Sequence, residues 1–125
     1  MEVSMATPPQ YSFTRDRIDE IRQYGDVFMT DDPVEAVRGA DIVYTDSYHY
    51  HQTISATERE IMKKYQVNVR LMSVANHGAM FMHPLPATRG LEVTAEVIDG
   101  KNSVVYDQAG NKLHAVKAAI ALLVR

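Results

Sequence analysis

Short apolar runs alternate with helix-start signals along this chain of 125 residues, and that alternation limits the folds open to it. The run at 42–44 is short and uninterrupted, as expected for a parallel strand that is buried on both faces. Alternating strands and helices predict a three-layer α/β fold, in which a central parallel sheet carries helices on both faces. We expect about five strands, at residues 3–6, 27–29, 42–44, 80–82 and 103–106.

The segments between these runs carry residues that cap helices. Asp32 is placed to cap a short helix whose first residue is a proline, and Ser55 to cap a longer, charged helix. Asn111 is placed to cap a last helix at about 111–125. We therefore expect residues 1–125 to form one domain of Rossmann-like architecture. Ligands of such sheets bind beyond the carboxyl ends of the strands.

The composition argues against several classes of protein. Thirteen Lys and Arg against sixteen Asp and Glu give a net charge of −3, too acidic for non-specific nucleic-acid binding. The lack of cysteine excludes a disulfide scaffold, a thiolate zinc site and a cysteine nucleophile. Neither G-x-x-x-x-G-K-[ST] nor G-x-G-x-x-G occurs, which argues against a simple nucleotide-binding domain. No apolar stretch of about 18 residues and no signal-peptide pattern occur, so we expect a cytoplasmic protein without membrane contact.

Two prolines stand among the four residues that follow the fourth apolar run. The prolines restrict the backbone conformation, and the Leu85–Pro86 bond is a candidate for cis geometry. The carbonyls of Pro84 and Leu85 would be left as acceptors for a ligand amide. His83 is placed to donate a hydrogen bond to the same ligand, and Arg89 to contact an anion. The alternative is a stiff turn with a structural histidine and a surface arginine.

A polar and aromatic loop follows the third apolar run, at residues 45–52. Asp46 can hold an ammonium group through a charge-assisted hydrogen bond. His49 and His51 would share one face of an extended chain, but neither an acidic residue nor a further histidine stands in register with them. We therefore expect no metal site here. The alternative is an exposed loop that is merely polar.

The last helix is apolar on nearly every side, since Lys117 is the only polar residue between positions 115 and 124. Such a helix must be buried all round or lie in a membrane, and a chain of this size has little interior to cover it. We expect it to pack against another domain, a partner chain or a second copy. Lys112 stands at the expected start of this helix, where a cation opposes the helix dipole, and this placement favours a bound anion nearby.

Several of these segments, in this order, resemble the second, amino-acid-binding domain of the aspartate/ornithine carbamoyltransferase family. Within the family, they resemble the ornithine enzymes most. The resemblance is carried by residues 82–100 (MHPLPATRGLEVTAEVIDG), 103–109 (SVVYDQA), 40–46 (ADIVYTD) and 3–8. It implies transfer of a carbamoyl group from carbamoyl phosphate to an amine, without metal or cofactor. The phosphate-binding loop of the family lies in its first domain, which these residues do not include, so we expect the chain to be inactive alone.

The resemblance also assigns residues to carbamoyl phosphate. Pro84 and Leu85 match the pair that contacts this ligand in the family, although the ornithine enzymes have Cys where this chain has Pro84. Lys112 stands where the family has an arginine that contacts the same ligand, and it cannot reproduce the bidentate fork of that arginine. We expect His83 and Arg89 to contact carbamoyl phosphate as well.

For the acceptor amine, Asp46 matches the acceptor-binding aspartate of the family. The ornithine enzymes continue with Ser-Met-Gly, where this chain has Tyr50, His51 and Gln52. Tyr50 and His51 are thus the further acceptor contacts that we expect, and either an ornithine-like or an aspartate-like acceptor remains open.

Two functions follow from the sequence. The first is the acceptor-binding half of a carbamoyltransferase, completed by a carbamoyl-phosphate-binding domain on a partner chain or in a longer parent protein. The second is a non-catalytic amino-acid-binding or interaction module derived from this fold, which the altered loop after Asp46 and the missing phosphate loop favour. Without a partner, we expect self-association through the last helix.

Overall fold

The computed structural model of this chain describes residues 2–48 and 55–124. Strands and helices alternate over most of this length, which confirms the α/β class. In chain order they are β1 (Val3–Ala6), α1 (Arg15–Arg22), β2 (Val27–Thr30), α2 (Pro33–Val37), β3 (Ile42–Tyr44), α3 (Ala56–Lys63), α4 (Val69–Met72), β4 (Met80–Met82), α5 (Ala95–Ile98) and α6 (Val105–Leu123), with a short 3₁₀ turn at Pro9–Tyr11.

Two of the predicted helix caps are confirmed in atomic detail. The Asp32 carboxylate accepts a hydrogen bond of 3.0 Å from the backbone N–H of Val34, in the first turn of α2. At the start of α3, the Ser55 hydroxyl accepts from the backbone of Glu58, while the Glu58 carboxylate accepts from the backbone of Ser55. These reciprocal bonds form a capping box, which satisfies amide groups that a helix end otherwise leaves unpaired.

The strands pair in parallel, as predicted, but in two separate pairs. β1 pairs with β2 and β3 pairs with β4. The fifth strand expected at 103–106 is wrong beyond its first residue, because Ser103 forms only an isolated parallel bridge with Phe81 and the chain enters α6 at Val105. The side chain of Val105 is almost completely buried, so core packing fixes this segment at the start of a helix. The described residues thus confirm the parallel α/β class but not the size of the sheet.

The hydrophobic core is centred on β4. Phe81 is fully buried, and the side chains around it come from neighbouring elements and from the segment before α5. They include Val43, Val67, Val93, Ile98 and Val105. The loop at the carboxyl end of β4 therefore begins one residue after Met82, next to the centre of the core.

The last helix differs from its prediction. α6 begins at Val105, so Asn111 lies inside the helix and does not cap it. Lys112 is likewise interior, and the prediction of an anion that compensates the helix N-terminus no longer applies to it. Val105 is the only buried residue of α6, and all described residues from 109 to 124 are exposed. No described helix is both long and apolar enough to cross a membrane.

Candidate functional site at the carboxyl ends of the strands

Two loops meet at the carboxyl ends of β3 and β4: the Asp46 loop, described for residues 45–48, and the proline turn, residues 83–86. The backbone N–H of Thr45 donates to the carbonyl of Met82 over 3.3 Å, which extends the strand pairing by one residue. The Ser47 hydroxyl then donates to the carbonyl of Pro86 over 2.6 Å. The two segments that the sequence assigned to two different ligands are therefore joined directly.

The proline turn has an unusual backbone. The Leu85–Pro86 bond is cis, as the sequence led us to expect, and Leu85 has a φ of 55°. This left-handed region costs a residue with a side chain roughly 1–2 kcal/mol, so other contacts must hold Leu85 there. One of them is a hydrogen bond of 2.9 Å, in which the backbone N–H of Leu85 donates to Nδ1 of His83.

The His83 side chain lies inside the domain rather than at its surface. It is 0% exposed, its Nδ1 accepts from Leu85, and its Nε2 is 3.4 Å from Oε1 of Glu92. Its backbone N–H donates to the Gln108 side chain of α6 over 3.0 Å. With the ring enclosed and Nδ1 engaged, the expected direct donation to a ligand does not occur in this arrangement; the ring supports the turn from behind.

Glu92 is a buried carboxylate that the sequence analysis missed. It is 0% exposed, its Oε1 accepts from the backbone N–H of Thr88, and its Oε2 has no partner among the described residues. Burying a carboxylate is unfavourable unless hydrogen bonds compensate it. Its position between two apolar residues, Leu91 and Val93, is the signal in the sequence that could have revealed it.

Tyr48, in the Asp46 loop, was also missed. Its hydroxyl oxygen is buried and has no hydrogen-bond partner among the residues that the structure describes. Burial raises the pKa of Tyr48 most, and the negative charge of Glu92 and the neighbouring Tyr65 raise it further. The phenol therefore stays protonated and brings the Asp46 loop into the electrostatic field of Glu92.

Asp46 is exposed, and its carboxylate accepts a hydrogen bond of 2.7 Å from the backbone N–H of Ser47. It lies in the wall of a cavity of about 1320 Å³ between β1 and β3. Tyr50 and His51, the other expected acceptor contacts, fall outside the described residues, as does His49. Near the carboxyl ends of β1 and β3 the cavity is lined by Thr7, Tyr11, Asp46, Tyr48, Glu58 and Tyr65.

This end of the cavity has an acidic character. The Glu58 carboxylate accepts a hydrogen bond of 2.9 Å from the hydroxyl of Tyr11. The backbone N–H of Ser55 lowers the pKa of Glu58 most, followed by the Ser55 hydroxyl and then Tyr11. Glu58 therefore stays ionised, and with Asp46 it places two carboxylates where a cation is favoured over an anion.

The two expected cationic contacts differ in their surroundings. Arg89 forms a bidentate ion pair with Asp99, with Nε 2.9 Å and Nη2 2.6 Å from the carboxylate oxygens. Asp99 accordingly raises the pKa of Arg89, and Arg89 lowers that of Asp99. Lys112 is exposed on α6, four residues after Gln108, and therefore lies on the helix face that bonds the proline turn. The planar fork of Arg89 is thus occupied by Asp99, whereas Lys112 projects from the face nearest the turn.

These features define an α/β domain that presents two joined loops at the carboxyl ends of parallel strands. Residues 1–123 match the family model described as aspartate/ornithine carbamoyltransferase, Asp/Orn binding domain. The chain belongs to this family.

The comparisons also match individual proteins. The ornithine carbamoyltransferase of Hyperthermus butylicus is 54% identical over 97 residues, which cover 76% of this chain and 31% of that protein. That of Cenarchaeum symbiosum is 45% identical over 124 residues, 98% of this chain and 41% of the relative. The structure of ornithine carbamoyltransferase from Pyrococcus furiosus superposes with a TM-score of 0.87 at 42% identity, over 97% of this chain and 41% of the other. The chain thus spans about two fifths or less of the length of these relatives.

Proposed function

We propose that this chain is the acceptor-binding half of a carbamoyltransferase, which transfers a carbamoyl group from carbamoyl phosphate to an amine. The observation that carries the proposal is the hydrogen bond from Ser47 to the carbonyl of Pro86, because it holds the Asp46 loop against the proline turn. An amine bound by Asp46 would lie beside a carbamoyl group bound at the turn. Such proximity removes much of the entropic barrier to a reaction between two molecules.

The proposed reaction needs few groups from this chain. The amine nitrogen bonds to the carbamoyl carbon, the carbon–oxygen bond to phosphate breaks, and the amine proton ends on the released phosphate. Asp46 holds the amine, and the carbonyls of Pro84 and Leu85 accept from the carbamoyl NH₂. Lys112 supplies positive charge toward the phosphate, where stabilising the departing anion lowers the barrier. No step is assigned to a metal or a cofactor.

The other candidate site residues have less direct roles in the proposed reaction. Arg89 contributes charge beside the turn while its fork remains on Asp99. His83 acts through the backbone of Leu85 rather than on the ligand. Tyr50 and His51 remain the expected contacts to the acceptor side chain.

The acidic end of the cavity bears on the choice of acceptor. An aspartate-like acceptor brings a second carboxylate toward Asp46 and Glu58, where like charges repel. An ornithine-like acceptor brings a second ammonium, which the same carboxylates attract. We therefore favour a cationic amine, in agreement with the names of the relatives.

The proposal requires a second domain. Residues 1–125 would form one acceptor-binding domain, and a carbamoyl-phosphate-binding domain would cover the exposed apolar surface of α6 and supply the phosphate loop. We expect the chain to be inactive without it, and to self-associate through α6 when that domain is absent. A cytoplasmic location stays a prediction.

The test is to mix the chain with the carbamoyl-phosphate-binding half of a related ornithine carbamoyltransferase, add carbamoyl phosphate, and offer a panel of amines. Release of phosphate together with a carbamoylated amine, for a cationic amine above all, is the expected result. Thermal stabilisation of the chain by an amino acid, with no turnover in any pairing, would instead support the non-catalytic binding module.

A further inference from the structure

Two ionisable side chains, His83 and Glu92, lie entirely inside the domain directly behind the proline turn, and neither contacts a substrate in the proposed reaction. Both are 0% exposed. An apolar pair would fill the same volume without the cost of removing two polar groups from water. Their hydrogen bonds show what they hold in place.

The contacts of His83 fix which ring nitrogen carries the proton. Since Nδ1 accepts from the backbone N–H of Leu85, Nδ1 has no proton, and a neutral ring must carry its proton on Nε2. That Nε2 lies 3.4 Å from Oε1 of Glu92 but forms no hydrogen bond among the described residues, so Glu92 acts on it through its negative charge. A carboxylate on one side of a histidine sets the tautomer and so makes the other nitrogen an acceptor.

Glu92 is bonded to the chain beyond the turn as well. Its Oε1, which faces His83, also accepts from the backbone N–H of Thr88. One carboxylate oxygen therefore reaches the turn from both sides, through the ring of His83 to Leu85 and directly to Thr88. The first of these two positions, Leu85, has the φ of 55°, and between it and Thr88 lies the Pro86 carbonyl that accepts from Ser47.

We propose that His83 and Glu92 are a positioning pair for carbamoyl phosphate: Glu92 sets the Nε2–H tautomer of His83, and Nδ1 of His83 holds Leu85 in the left-handed conformation that presents the carbonyls of Pro84 and Leu85. This inference rests on the proposed function, which gives the turn its ligand. Neither side chain touches the ligand. Their effect is on the geometry of the backbone that does.

The spectroscopic test uses ¹⁵N-labelled chain at neutral pH. We expect His83 to show an unprotonated Nδ1 and a protonated Nε2, and the Leu85 amide to exchange slowly with solvent. Glu92→Gln keeps an oxygen acceptor and should retain both signatures, whereas Glu92→Leu should lose the single tautomer. A His83 ring that samples both tautomers in the unaltered chain would overturn the inference, whatever the activity.

The kinetic test compares two polar substitutions of similar size in the chain completed by a carbamoyl-phosphate-binding domain. In His83→Asn the side-chain oxygen takes the place of Nδ1, two residues before the Leu85 N–H, as in an Asx turn. In His83→Gln the amide reaches the position of Nε2, and the backbone N–H of Leu85 loses the acceptor that Nδ1 provided. We expect the KM for carbamoyl phosphate to rise about tenfold in His83→Gln and less than about threefold in His83→Asn. The tenfold rise is the effect expected from the loss of one hydrogen bond.

The KM for the amine should change little in either variant, because the Asp46 loop keeps its own bonds. Equal changes in both KM values, or equal effects of Asn and Gln, would show a purely structural role and overturn the inference while the proposed function stands. If the unaltered chain neither turns over nor binds carbamoyl phosphate in any pairing, the proposed function fails. The pair is then structural, even where the tautomer is as expected.

Discussion

Charged side chains are usually exposed and apolar ones buried. The proline turn and helix α6 each depart from this pattern, the turn by burying ionisable side chains and the helix by exposing apolar ones. Behind the turn, the ionisable side chains of His83 and Glu92 are fully buried, whereas α6 exposes apolar side chains such as Leu113 at 63% and Leu123 at 83%. The buried polar groups accept hydrogen bonds from the backbone N–H groups of Leu85 and Thr88, so each is tied to the chain around the turn. These apolar side chains of α6 are more than half exposed in the described part of the chain, and such an exposed apolar surface is typical of an interaction site. In the proposed function, the proline turn is part of one half of the site, and α6 is the surface that would join it to the other half.

Removal of a core side chain next to the turn should have the largest effect on the stability of the chain. Phe81 is 0% exposed, and Phe81→Ala should lower the free energy of unfolding by about 3–5 kcal/mol, because it leaves a cavity. Ile120→Ala, on exposed α6, should lower it by less than about 0.5 kcal/mol. Urea unfolding followed by circular dichroism measures both. Both values are measured at a chain concentration too low for self-association. At higher concentration, a larger loss in Ile120→Ala would show the self-association through α6 that we expect of the chain alone.

A charge on α6 should block completion of the enzyme without unfolding the chain. Ile120→Glu places a carboxylate on a surface that we expect to be buried against the carbamoyl-phosphate-binding domain, and should lower activity at limiting chain concentration by about a hundredfold. Val69→Glu is the matched control, since Val69 is 58% exposed and Ile120 is 55% exposed. Titration of the partner domain against each variant, with phosphate release as readout, measures the loss. Equal activity of the two variants would count against α6 as the interface.

At the Asp46 loop, the expected effect is on one substrate only. Asp46→Asn removes the charge that holds the amine, and should lower kcat/KM for the amine by about tenfold to a hundredfold, the range of one hydrogen bond to a charged group. The KM for carbamoyl phosphate should stay within about threefold of its original value, because the turn is held by other contacts. Asp26→Asn, an exposed aspartate in the turn before β2, is the control. A fall in amine specificity of the same size in both variants would remove Asp46 from the site.

The sequence predicts those parts of this fold that depend on local signals. Asp32 and Ser55 cap their helices as expected, since a cap needs only its own side chain and the first turn of the helix. The neighbourhood of the Asp46 loop and the proline turn followed from a general rule of parallel sheets. The start of α6 did not, because Val105 belongs to a run typical of a strand and is placed in a helix by its burial in the core.

The surroundings of individual buried polar groups could not be predicted from the sequence, for a related reason. Glu92 and Tyr48 carry no local sign of the surroundings in which they are buried, because those surroundings depend on the assembled packing. The sequence singled out His83 as a candidate site residue but did not predict its orientation. A sequence does not show whether a ring at a strand end points outward or toward a buried carboxylate. The cis bond of the proline turn was thus anticipated from the sequence, whereas the buried pair behind the turn was not.

The smallest expected effect is on stability, and it tests whether the buried hydroxyl of Tyr48 has a hydrogen-bond partner. The Tyr48 hydroxyl is buried with no partner among the described residues, so Tyr48→Phe removes a polar group that forms no hydrogen bond there. We expect the free energy of unfolding to stay the same or to rise by up to about 1 kcal/mol, since the penalty of an unsatisfied hydroxyl disappears. Tyr24→Phe is the control, because Tyr24 is 87% exposed and its hydroxyl is solvated in either state. A loss of more than about 1 kcal/mol in Tyr48→Phe alone would show that the hydroxyl bonds a group in the Asp46 loop or at Glu92. The buried polar network would then reach from the proline turn into the acceptor site itself.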